Sequence, residues 1–102
     1  MHKQKEKQMN KDNAYYIVVT EWLYPTESGR ELCDDYDTYE RALEVARQFV
    51  EHERKDNWSE ATHTDPSTID FNCDSNSYII TDKNGLEDWW FQAKVIKVNY
   101  GL

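Results

Sequence analysis

The sequence predicts an α+β domain, a mostly antiparallel sheet of about five strands with one amphipathic helix packed on a face, in the order ββαβββ. Three observations carry this reading. Only one segment, Asp37 to Lys55, sustains helical periodicity. Five other runs read as strands, with β-branched and aromatic residues strongest in the first and last. The turn signals between them, 25–29 and 82–85, are short enough to join antiparallel neighbours. A chain of 102 residues suffices for one domain rather than two.

Residues 1–13 stand apart as an expected disordered basic arm, and 14–102 form the domain. The arm holds Lys3, Lys5, Lys7 and Lys11 among Gln and Asn, with only Met1 and Met9 apolar. So little apolar surface cannot offset chain entropy. No apolar run follows its lysines, as a secretory signal would need. No later run is long enough to span a bilayer. A cytoplasmic protein without membrane contact is the expectation.

The first strand, Ala14 to Tyr24, puts Tyr16, Val18, Thr20, Trp22 and Tyr24 on one face and Tyr15, Ile17, Val19, Glu21 and Leu23 on the other. Apolar residues on both faces suit a central strand, or one covered twice. The turn at Pro25–Gly29 leads to a second strand, Arg30 to Tyr36, with glycine expected to supply a positive φ. Asp34 and Asp35 within that strand, and Asp37 just after it, suit a sheet edge, where charge discourages stray pairing.

The helix begins at Asp37 or Thr38. Asp37 with Glu40 makes a box-like cap, and Thr38 is the alternative. Tyr39, Ala42, Leu43, Ala46, Phe49 and Val50 form its apolar stripe. With Phe49 in the core, its replacement by Ala would cost about 3–5 kcal/mol. Asp56-Asn57 is the stop, and 57–67 reads as a loop.

Thr68 to Asp74 alternates, with Ile69, Phe71 and Cys73 inward. Ser75-Asn76 turns into the strand Ser77 to Thr81, and Asn84-Gly85 predicts a hairpin. The last strand, about Glu87 to Tyr100, carries Trp89, Phe91, Ala93 and Val95 on one face, then Ile96, Val98 and Tyr100 on the other. A bulge or a bend near Val95 is expected from that change of phase.

The residues offer little chemistry. Asp70-x-Asn72-x-Asp74-x-Asn76 opens like a calcium loop, but Ser75 stands where glycine is needed and Thr81 where a bidentate Glu belongs. A polar strand face running into a turn gives the same spacing. His2, His52 and His63 make no zinc pattern, and Cys33 and Cys73 lie far apart, expected as buried free thiols. Three glycines leave no phosphate-cradling loop. Glu87-Asp88-Trp89-Trp90 sets acid beside aromatic, but a glycosidase needs two carboxylates across a cleft. No catalytic, cofactor or metal residue is assigned, and an enzyme is not expected.

Charge and aromatic content point elsewhere. The chain is −8 at pH 7; the arm is +2, so residues 14–102 hold −10. Such a body repels phosphates, so direct nucleic-acid binding is not expected. With 4 Trp, 7 Tyr and 3 Phe, some rings should be left for an interface. The expectation is a small acidic, non-enzymatic protein-interaction module that meets a basic partner, as small acidic proteins of phages and mobile elements do with host proteins. Glu31, Asp34, Asp35, Asp37, Glu40, Trp22, Trp89 and Trp90 are the candidate surface. Two alternatives are a homodimer that covers the spare sheet face and a small-molecule or sugar site on Trp89, Trp90 and Tyr78.

Overall fold

The computed structural model describes residues 14–100, so the basic arm lies outside the described residues. In chain order it contains β1 (Ala14–Leu23), β2 (Ser28–Tyr36), α1 (Tyr39–Asp56), α2 (Trp58–Thr62), β3 (Asp70–Asn72), β4 (Ser77–Thr81) and β5 (Trp90–Asn99). The strands make one sheet in the order β2-β1-β5-β4-β3, with every neighbouring pair antiparallel. The α+β class, the five strands and the helix between the second and third of them are as the sequence predicts. β2 lies at an edge, and β1 is paired on both sides.

Register assigns the two faces. Tyr16, Val18, Thr20 and Trp22 share a face with Phe91, Ala93 and Val95 of β5 and with Tyr78 and Ile80 of β4. α1 packs over it with Ala42, Val45, Ala46 and Val50, all buried. The small side chains of Ala42 and Ala46 have no exposed surface, so the helix sits close to the sheet. The other face carries Ile17, Val19, Glu21, Gln92, Lys94 and Ile96. Val19 is fully buried even there, with Leu32 and Lys94 on its flanks.

Thr38, not Asp37, caps α1. Its backbone is extended, and its hydroxyl accepts from the Arg41 amide at 3.1 Å. Phe49 is 37% exposed and Val45 takes its place in the stripe, so the expected burial of Phe49 is wrong. The missing anchor is Trp58, in what the sequence suggests is a loop. It opens α2, is fully buried, meets the Tyr24 ring edge-on at 5.6 Å and donates its indole N–H to Thr64 Oγ1 at 3.1 Å. One turn of helix after α1 folds this ring back under the sheet's end. His63 closes the turn with a left-handed backbone, φ 59°.

Three other expectations are corrected. Gly29 lies in β2 opposite Trp22 and has no positive φ; its role is the close approach described below. The bulge is in β2 rather than near Val95. Val19 pairs with Leu32 and Ile17 with Asp35, so Cys33 and Asp34 both face Val18, while β5 keeps unbroken register with β1. β3 has only three residues, and Phe71 (44% exposed) and Cys73 are exposed because α1 does not reach this edge strand. The hairpin at Asn84-Gly85 is as the sequence predicts, β4 and β5 pairing antiparallel and Gly85 taking a φ of 68°, but its loop is wide. Asp82 is buried and its carboxylate accepts from the amides of Asn84, Leu86 and Glu87, which holds the chain in a wider loop. Pairing therefore resumes only at Thr81 with Trp90.

Candidate functional site

A cavity of about 240 Å³ opens between the Trp22 end of the sheet and the last turns of α1. Its floor starts with a strand pair. Trp22 of β1 and Phe91 of β5 are direct neighbours, ring centroids 6.2 Å apart and planes within 20°. On the other side of Trp22 lies Gly29. A Cβ there would fall 2.4 Å from Trp22 Cζ2, so only glycine lets the indole spread across β2. The half-exposed Phe49 of α1 forms the facing wall. The Trp22 indole N–H is buried without a hydrogen-bond partner among the described residues, a cost of about 1–3 kcal/mol.

Tyr24 and Glu53 close one end. The chain turns directly after β1, with the Tyr24 amide donating to Glu27 O at 2.8 Å, and Tyr24 points back at the helix. Its hydroxyl donates to Glu53 Oε2 at 2.5 Å, and Asn57 Nδ2 donates to the same oxygen at 2.6 Å. Burial, followed by the bond to Glu53 and its charge, pushes the Tyr24 phenol far above its ordinary value, so it stays a neutral donor. Both bonds use one oxygen, and neither occupies Oε1.

Glu27, from the turn, and Glu31, opposite Thr20 on β2, complete an acidic rim. Neither carboxylate has an ion-pair partner among the described residues. By contrast Glu21, on the opposite sheet face, is held by Arg30 at 3.1 Å, Lys94 at 3.3 Å and Gln92 at 2.7 Å. Burial works against its charge, but the bonds from Gln92 and Lys94 and the two cations hold its pKa below the ordinary value. His52, also at the cavity, pairs with Asp56 at 3.0 Å. No group of three or more His, Cys, Asp or Glu among the described residues is placed to hold a metal ion. The carboxylates of Glu27, Glu31 and Glu53 line the same cavity as Trp22, Phe49 and Phe91.

Of the candidate surface, the structure brings Trp22 and Glu31 to this cavity and the others elsewhere. Asp34 sits at the β2 bulge and Asp35 opposite Ile17. Asp37 and Glu40 are exposed at the start of α1. Glu40 lies thirteen residues before Glu53, roughly 20 Å along the helix axis. Trp89 packs against the buried cluster, whereas Trp90 is on the opposite face beside Leu23 and Thr81, away from Tyr78. Sequence reasoning missed Tyr24, Glu27, Phe49 and Glu53 as site residues. The face pattern of β1 already placed Tyr24 beside Trp22, but the turn and helix residues had no periodic signal tying them to it.

Two larger concavities, near Asp65 and Lys83, are lined mostly by polar residues and by no Trp, Tyr or Phe. No described helix is long and apolar enough to cross a membrane. No family model matches the chain, and neither a curated protein nor a solved structure gives a significant match.

Proposed function

We propose that the protein is an acidic, non-enzymatic interaction module that binds a basic partner protein through the Trp22 end of its helix-covered face. One observation carries this: the half-buried Trp22, the exposed Phe49 and the unpaired carboxylates of Glu27 and Glu31 meet at a single concavity. Aromatic anchors supply contact area at small entropic cost, and rim charge steers an oppositely charged partner. The net charge of −10 on residues 14–102 extends the attraction beyond the cavity. Direct nucleic-acid binding fits poorly with that charge.

The two alternatives draw less support. Tyr78 and Trp90 on opposite faces cannot stack on one sugar. The open sheet face is apolar around Ile17 and Ile96, but the Glu21 ion cluster interrupts it.

The test is affinity capture from the native host at low and at high salt. A retained protein with a basic surface, released by salt, is the expected result, because exposed charges are screened. Retention only of acidic proteins, salt-insensitive retention, or none would refute the proposal.

A further inference from the structure

We infer that the cavity seats an arginine side chain presented by the partner. The inference rests on the function proposed above and names what that site recognises. At about 240 Å³ the space falls below the roughly 300–1,000 Å³ of small-molecule sites, and suits one long side chain. Its lining combines Trp22, Phe91 and Phe49 with the carboxylates of Glu27, Glu31 and Glu53.

That combination selects a cation, and the details select a guanidinium. A cation is drawn to the face of an aromatic ring, most strongly to Trp. Gly29 leaves the room the indole occupies beside β2, which holds Trp22 in the lining. A guanidinium is planar and can stack on an aromatic ring while its N–H donors reach carboxylates at the margin. Glu53 is pre-set for this role. Tyr24 and Asn57 fix its Oε2 and leave Oε1 to accept. A trimethylated lysine has charge but no N–H, and would bury the carboxylates unsatisfied. An ammonium concentrates its donors at one point and cannot serve several carboxylates across a ring.

The experiment titrates the full chain, by calorimetry, with four short peptides identical except for a central arginine, lysine, trimethyl-lysine or citrulline, each flanked by the same basic residues. Arginine should bind most tightly, with citrulline at least about tenfold weaker, since it keeps the shape and loses the charge. Glu31→Gln and Phe49→Ala should each weaken the arginine peptide several-fold. Gly29→Ala should do so without removing any lining group, by displacing the indole. Asp34→Asn, the same loss of charge outside the cavity, should have little effect. Circular dichroism checks that each variant folds; Glu31 is exposed, so its variant keeps the test valid even if another fails.

Equal binding of citrulline, or tighter binding of trimethyl-lysine, would overturn arginine recognition. Asp34→Asn costing as much as Glu31→Gln would overturn the cavity as the seat and leave the basic-partner reading standing. No binding by any of the four would overturn both.

Discussion

Replacing Trp58 with Ala removes the largest fully buried side chain of the described residues. Truncating such a ring costs about 3–5 kcal/mol, the upper part applying where neighbours cannot collapse into the space. Here the neighbours are Tyr24, tied to Glu53, and a helix turn closed by Thr62 Oγ1 on Trp58 O at 2.9 Å. The indole bond to Thr64 is lost as well, although Thr64 keeps its contact with Thr62. About 4 kcal/mol is therefore expected, a large share of the roughly 5–15 kcal/mol that stabilises a domain. Phe49→Ala is the comparison. At 37% exposed it gives up less contact, and about 1–2 kcal/mol follows. Urea unfolding followed by far-ultraviolet circular dichroism separates the two. With a slope of roughly 1.5 kcal/mol per M, the midpoints fall by about 2–3 M and about 1 M. Equal losses, or a larger loss at Phe49, would refute the assignment of Trp58 to the core and Phe49 to a cavity wall.

Tyr24→Phe should cost about 1.5 kcal/mol in the same assay, the low end for a bond to a charged group because Glu53 keeps Asn57. In the wild type the raised phenol pKa gives stability that is present below pH 10.0, the ordinary value, and is lost as pH rises above it. The phenylalanine variant should lack that alkaline loss. Glu21 works in the opposite sense. Its folded pKa is lowered, so its contribution is full at neutral pH and fades as pH falls below the ordinary 4.5. The stability gap between wild type and Glu21→Gln, measured by urea midpoint, should narrow in acid; a gap that widens there would contradict the ion cluster.

The parts legible in the sequence are those set by local pattern. β1 reads as central because it is apolar on both faces, and it is indeed paired on both sides, with Val19 buried even on the face away from the helix. The α1 stripe is readable because its residues recur with the helical period, and its one misplaced member, Phe49, lies where the helix runs past the core towards Glu53. Trp58 was hidden because α2 is a single turn, too short for periodicity to speak. Gly29 reads as a turn residue, since nothing local announces that an indole from the next strand must lie over it. The candidate site suffered the same way. Trp22 and Glu31 were visible as aromatic and acidic residues near one turn, but Glu53 joins them only through tertiary packing. The acidic run from Asp34 to Glu40 looked like a patch in one dimension and is dispersed by the bulge and the helix start in three.

The most direct measurement is the nuclear magnetic resonance of the four indole N–H groups during titration with the arginine peptide. Trp22 lies in the cavity floor, Trp58 in the core, and Trp89 and Trp90 toward opposite sides of the sheet. A saturable shift of the Trp22 resonance, with the other three nearly still and the citrulline peptide needing at least about tenfold higher concentration for the same shift, is the result predicted. Movement of Trp89 or Trp90 with Trp22 unmoved would contradict the cavity as the binding site.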